Sequence, residues 1–412
     1  MTTRREFIKK SVAVAGGTAL MGVPLACGKR TLAEKSRVVS AAADDMLIGQ
    51  KYNPDAVHRA FEEGLMELTG ESSLGDAWAA MVSPDDVVGI KINCLGAPKV
   101  SSSLESIRET IAGLKSAGVK ENNIIVWDAR DWMFQRTGLK LNDGTEGVRI
   151  MGSSTEWEAA IPWIEGYDRD VHWSWDVGTL KKYQELVRQN FTQDGTHREI
   201  FNSCAWLWML IQQGNPKAQK YNEEIRRLYM DYSDREGIKK IAEEVADEFN
   251  DVTIEDEDKS FFSEIVTKKI TKLINIPVLK HNEDSGVTWA TKNIALGVTT
   301  NKIRFHIDYC TTAIPEILNN PSIKDKMVLH IGEAAKISTV SVAGARMAFD
   351  NRLFFSRDPV AMDRIGLDIL DGKRVEQGLE PIRDISTHIA ACAKKGLGTD
   401  DMNRIDLREL VV

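Results

Sequence analysis

The chain has 412 residues, 42% of them hydrophobic and 28% charged, with 53 Lys and Arg against 61 Asp and Glu. That composition excludes collagenous, low-complexity and wholly disordered classes and leaves enough apolar residues for a large core. The formal charge is −8, and because Arg4, Arg5, Glu6, Lys9 and Lys10 supply +3, the remainder carries −11, a balance that repels phosphate backbones and argues against nucleic acid as a partner.

Residues 1–27 read as a signal peptide of the twin-arginine type. Thr3-Arg4-Arg5-Glu6-Phe7-Ile8-Lys9-Lys10 is a basic start, and 16 mostly apolar residues follow from Ser11 to Ala26, broken by Gly16, Gly17 and Gly22. A spanning helix needs about 20 apolar residues, so the segment suits export better than anchoring. The expectation is a periplasmic or cell-envelope protein, exported by machinery that recognises Arg4-Arg5. It would meet a membrane only through this signal or through lipidation of Cys27 in Leu25-Ala26-Cys27-Gly28.

After a polar linker, Asn53-Pro54 is an N-cap with proline at N1, and Val57, Phe61, Leu65 and Leu68 recur at helical spacing until Gly70. The apolar run Val87–Asn93 is of strand length, Leu104, Ile107, Ile111 and Leu114 make a helix ended by Gly118, and Asn123–Asp128 is a second strand. Strand, crossover helix and strand define a right-handed βαβ unit and hence a parallel sheet.

Residues 151–262 break this rhythm with six tryptophans and a helix lined by Ile238, Ile241, Ala242, Val245 and Phe249, and read as an inserted, largely helical lobe. Within it, Glu255-Asp256-Glu257-Asp258 reads as a solvated turn, with calcium the remote alternative. Further strands are expected at Ile274–Lys280, Met327–Ile331, Arg352–Phe355 and Arg404–Glu409, with Pro277 putting its strand at an edge or a bulge. The fold class is therefore α/β: a mostly parallel twisted sheet with helices on both faces, built from residues 36–150 and 263–412, plus the Trp-rich lobe.

In open parallel sheets ligands bind beyond the carboxyl ends of the strands, so the polar residues closing each run are the candidates: Lys91, Asn93, Asp128, Lys280, His281 and His330. Lys91 alternates with Ile90 and Ile92, and a buried ammonium there needs either Asp128 on the neighbouring strand or a bound anion. Gly286 leads into a segment whose opening amides could take an anion, with Thr288 and Lys292 spaced to share a helix face beside Asn293. Asp358-Pro359 reads as an N-cap, with Asp363 one turn on as a lysine partner or proton acceptor. His281 is a candidate base.

His306, Asp308 and Cys310 would point to one side of an extended segment, half of a metal site drawing on His306 and Cys310. The cysteines beyond the signal, Cys94, Cys204, Cys310 and Cys392, are isolated. A self-contained iron–sulfur cluster is not expected, and no cofactor is specified.

Val88-Gly89-Ile90-Lys91-Ile92-Asn93, Ala117-Gly118-Val119 before Asn123–Asp128, Ile276–Lys280, Gly286-Val287-Thr288 with Lys292-Asn293, and Asp358–Asp363 together resemble the domain of unknown function 362 family, in its subgroup with twin-arginine signals. The resemblance covers residues 85–152 and 274–410 and implies a fold rather than an activity. Members of that family usually read Lys-Asp-His where this chain has Lys280-His281-Asn282, and commonly Thr-His-Pro in the region where Ser101, Ser102 and Ser103 lie. The strand–helix–strand order also resembles the amino-terminal half of nickel-pincer lactate racemases, which implies small hydroxy- or carboxylic-acid substrates.

The leading expectation is an exported protein whose strand-end pocket, with Lys91, Asp128, Lys280 and Asp363 as catalytic candidates and Asn93, His281, Thr288, Lys292 and Asn293 as ligand-binding ones, holds a small anionic molecule and acts on it by acid–base or redox chemistry. The alternatives are a noncatalytic binding or accessory protein using the Trp-rich lobe as partner surface, and a metal-dependent isomerase-like enzyme or oxidoreductase.

Overall fold

The structure is a computed structural model that describes residues 35–155, 158, 161–176 and 255–412. The signal segment, the helix over residues 238–249, Cys204 and three of the six lobe tryptophans (Trp157, Trp206 and Trp208) lie outside the described residues.

The eleven strands of one sheet, in chain order, are β1 (Ser36–Ala42), β2 (Val88–Lys91), β3 (Ile124–Arg130), β4 (Arg149–Ser154), β5 (Lys272–Asn275), β6 (Val278–Asn282), β7 (Gly286–Thr288), β8 (Met327–Ser338), β9 (Met347–Phe349), β10 (Arg352–Ser356) and β11 (Ile405–Val411). Across the sheet they run β11-β1-β10-β8-β5-β2-β3-β4, with β6 and β9 pairing β8, and β7 pairing β6. The stretch from β8 through β5, β2 and β3 to β4 is parallel, whereas β10 runs antiparallel to both β1 and β8. The mostly parallel α/β expectation is met.

Helices α1 (Pro54–Thr69), α2 (Leu104–Ser116), α3 (Ala290–Gly297), α4 (Pro359–Glu376) and α5 (His388–Lys394) cover the sheet. Side chains alternate along each strand, and the sheet accordingly buries two cores. Val88, Ile90, Val126, Ile274 and Leu329 pack with Phe61 and Leu65 of α1 and with Leu114 of α2. Ile125, Trp127 and Leu273 pack on the opposite face with Ile294 of α3 and Leu367 of α4.

The local signals behave as their chemistry dictates. The Asn53 side chain accepts from Asp55 N, Gly70 closes α1 in the left-handed region at φ 78°, and Asp358 Oδ1 accepts the amides of Val360 and Ala361 at 2.9 Å each. Two expectations need correction. Ile274–Lys280 is not one strand: Ile276 and Pro277 separate β5 from β6, the Pro277 carbonyl accepts Glu333 N at 2.9 Å, and the β6–β8 register shifts just beyond it, between Val278 and Lys280, as the bulge reading of this proline has it. The acidic run at 255–258 is a turn, but Glu257 is buried and Arg304 donates to the carbonyls of both Glu257 and Asp258.

β4 carries the sheet to Ser154, and Tyr167–Ser174 pairs with Lys259–Ser263 as a separate two-stranded ribbon. Of the lobe tryptophans described, Trp175 is buried, and Trp173 stacks edge-on to Phe305 at 5.6 Å between centroids.

Candidate functional site

A cavity of about 310 Å³ opens beyond the carboxyl ends of β2, β3 and β6, which is where a parallel sheet leaves strand-end side chains uncovered. Its walls include Lys91, Asn93, Asp128, Thr288, Lys292 and Asn293, drawn from segments up to 202 residues apart. Of the other candidates, His306 lines it too, whereas Lys280, His281, Cys310 and Asp363 do not.

Lys91 is 1% exposed and points to the α3 side, where Gly297 leaves room for its stem. Its Nζ donates to Asp128 Oδ1 at 2.7 Å and to Ile92 O at 2.5 Å, and stands 5.6 Å from the centre of the Trp127 ring. Asp128 also accepts Ala129 N and Cys94 N, both at 2.7 Å. Burial pushes this carboxyl up, but Lys91 and the two amides pull harder, and the net shift is downward. Asp128 is thus an ionised, well-bonded structural partner, the first of the two roles weighed for Lys91.

A line of amides runs beside this pair. Lys280 donates to Asn93 Oδ1 at 2.5 Å and to Leu95 O; Asn93 Nδ2 donates to Asn293 Oδ1 at 2.9 Å; Asn293 Nδ2 donates to Asn275 Oδ1 at 2.7 Å; Asn275 Nδ2 donates to Ala290 O at 3.0 Å. An ammonium only donates, so Lys280 fixes every amide downstream in one orientation and leaves Asn93 and Asn293 each with one further N–H. Register places Asn275 beside both Lys91 and His330, whose Nδ1 lies 3.2 Å from Asn275 Nδ2. His330 therefore sits within the sheet, and burial holds its pKa down at about 3.

Of the four buried lysines, Lys280 and Lys292 lack a carboxylate within ion-pair distance among the described residues. Burial pulls Lys280 down to about 7 against the opposing field of Asp128. Lys292 is likewise lowered by burial, with the fields of Cys310 and Asp284 opposing, and its Nζ donates to Ser285 Oγ. Thr288, 7% exposed, faces the same cavity, and its Oγ1 has no hydrogen-bond partner among the described residues. On the far wall Arg130 and Lys302 share the buried carboxylate of Glu158, which their charges hold below its usual range despite burial.

Several expectations are corrected here. Thr288 lies on β7, opposite Lys280, so it does not share a helix face with Lys292, although both reach the cavity. The opening amides of α3 are not available to an anion: Asp363 accepts Ala290 N at 2.6 Å and Thr291 N at 3.1 Å, together with the Thr291 hydroxyl. Asp363 is thus a buried helix cap rather than a lysine partner, with burial raising its pKa to about 7. At the start of α2, Glu333 accepts Ser103 N at 3.1 Å and the Ser103 hydroxyl, and Ser103 Oγ in turn caps the helix by accepting Ser106 N at 3.1 Å.

Ile303–Asp308 is a helical turn, not an extended strand, so His306 and Cys310 diverge. His306 Nδ1 lies 2.9 Å from Ile303 O at the cavity, while Cys310 is buried in the core with its thiol pushed up to about 12. Among the described residues no group of three or more His, Cys, Asp and Glu is arranged to hold a metal ion, and Cys94, Cys310 and Cys392 are free thiols. His281 is not part of the cavity lining, and its pKa is held at about 4, chiefly by burial.

Sequence reasoning missed Arg130 and Lys302. Arg130 stands two residues beyond Asp128 and so projects to the same side of β3, a period-two signal that was readable. Lys302 follows a loop and carries no such signal.

The fold defines an α/β protein with a cavity at the carboxyl ends of its strands. A model of the family described as Domain of unknown function (DUF362) matches residues 219–368, and over that stretch the chain is similar to the family. The match starts inside the segment read as an insertion, so part of that segment is shared with the family. No curated protein matches the chain. Among solved structures, a crystal structure of a protein from Thermotoga maritima is similar with a TM-score of 0.37 and 6% identity, covering 81% of this chain and 61% of that one.

Proposed function

We propose that the cavity binds a small carboxylate anion in an exported protein. One observation carries the reading: the Lys292 ammonium and the Thr288 hydroxyl, both more than nine-tenths buried, face one cavity without a carboxylate partner in ion-pair or hydrogen-bond reach among the described residues. A buried ammonium costs several kcal/mol unless an anion meets it. Lys91, Asn93 and Asn293 in the same lining each keep an N–H after their internal bonds are counted, and the carboxylates of Glu283 and Asp284 line it as well.

Calorimetric titration and thermal denaturation of the full chain with acetate, propionate and lactate test the reading. Carboxylates should raise the Tm of the wild type, with about 2.7 kcal/mol of stabilisation expected at a hundredfold excess over Kd. Lys292→Met and Thr288→Val should weaken or abolish the effect. Equal stabilisation of wild type and Lys292→Met, or none in either, refutes the proposal. Export rests on the Arg4-Arg5 signal, and changing both residues to Lys should retain the protein in the cytoplasm.

A further inference from the structure

We infer that the ligand is an amphipathic monocarboxylate: a single carboxylate group carrying an apolar tail. The inference rests on the carboxylate-binding reading and deepens it. Beside these donors and the polar Asn282, Glu283, Asp284 and Ser341, the cavity is lined by the apolar side chains of Leu95, Met133, Leu296, Ile303 and Val342. Leu95 is 45% exposed at that wall, a solvent-facing apolar surface that a ligand tail would cover. Met133 adds an unbranched, adaptable side chain suited to tails of differing shape.

Charge limits the head group. Lys292 is the ammonium of the lining that has no carboxylate in ion-pair reach among the described residues, while Lys91 is paired with Asp128 and Lys302 with Glu158. The carboxylates of Glu283 and Asp284 also belong to this lining, so a second negative charge on the ligand would meet repulsion there. A phosphate dianion would look to a helix N-terminus, yet Asp363 already holds the opening amides of α3, the helix that carries Lys292 and Asn293. A second carboxylate at the tail end would forgo the apolar contact that Leu95 and Val342 offer.

The test is calorimetry of the full chain with acetate, butyrate, hexanoate, adipate and inorganic phosphate. Kd should fall about fourfold for each added methylene until the cavity is filled. Hexanoate should bind more tightly than adipate, and phosphate should be weakest. Leu296→Asn should flatten the chain-length dependence while acetate still binds, and Val342→Ser supplies the same readout from a turn outside any helix. Acetate binding with no chain-length dependence, or adipate binding better than hexanoate, overturns the inference and leaves the carboxylate site standing. Binding by no carboxylate overturns both.

Discussion

Lys280 Nζ lies 2.5 Å from Asn93 Oδ1, joining residues 187 positions apart, and this contact sets the direction of the amide line that runs on through Asn293 and Asn275. The ammonium is buried without a carboxylate, and its pKa is near 7. Between about pH 7 and the ordinary lysine range the unfolded chain therefore keeps a proton that the folded chain has released. Stability contributed by this group should rise with pH across that window. Urea denaturation at pH 7 and pH 9 should show the rise in the wild type and a smaller slope in Lys280→Met; an unchanged slope would mean that Lys280 titrates normally.

The Lys91–Asp128 pair has almost no access to water. Removing one partner strands the other charge, so Lys91→Met and Asp128→Leu should each destabilise the protein by about 3–5 kcal/mol. The double variant should lose markedly less than the sum, because neither charge is then left alone. Strict additivity of the two losses in chemical denaturation would show the charges to be independent.

Asp363 titrates the opposite way to Lys280. Burial raises its pKa to about 7, above the unfolded value, so the folded state binds its proton more tightly and the associated stability drains away as pH climbs from about 4 to 7. Asp363→Asn should reduce that decline, and Asp363→Ala should cost about 0.5–2 kcal/mol by uncapping α3. Denaturation curves at pH 5 and pH 7.5 separate the two effects. A wild-type and Asn variant with identical pH dependence would contradict this account.

Two glycines in helices should respond with opposite signs. A Cβ at Gly297 would collide with the Lys91 stem inside the cavity wall, so Gly297→Ala should destabilise by about 1–3 kcal/mol. Gly372 on α4 has open space around it, so Gly372→Ala should stabilise by about 0.4–1 kcal/mol through helix propensity and reduced unfolded-state entropy. Thermal melts that ranked the two variants in reverse would remove the steric argument for Lys91 placement.

Much of the site was readable from local pattern. Lys91, Asn93 and Asp128 close apolar runs of strand length, and the βαβ order put them at one edge before any coordinates were known. The Asp358-Pro359 pair announced the start of α4 through chemistry confined to four residues. Roles that depend on distant partners were not readable. Asp363 looked like a candidate proton acceptor because nothing near it in the chain reveals that α3 will bring its amides alongside. The His306 and Cys310 pairing failed because alternation assumes extended backbone, whereas this stretch turns helically. β1 escaped notice because Ser36–Ala42 is small and half polar, its strand character coming from pairing with β10 and β11.

Short-range rules thus account for which segments become strands and helices here, since caps, apolar periodicity and glycine punctuation act within a turn or two of chain. They also say which ends of those segments are polar. Whether a given charge is paired or left facing the cavity is a property of packing: Lys91 meets Asp128 across adjacent strands, while Lys292 donates to the Ser285 hydroxyl and has no carboxylate in ion-pair reach among the described residues. The reason is physical. The electrostatic cost of an ammonium depends on which groups lie within a few ångströms of it, and that neighbourhood exists once remote segments have come together.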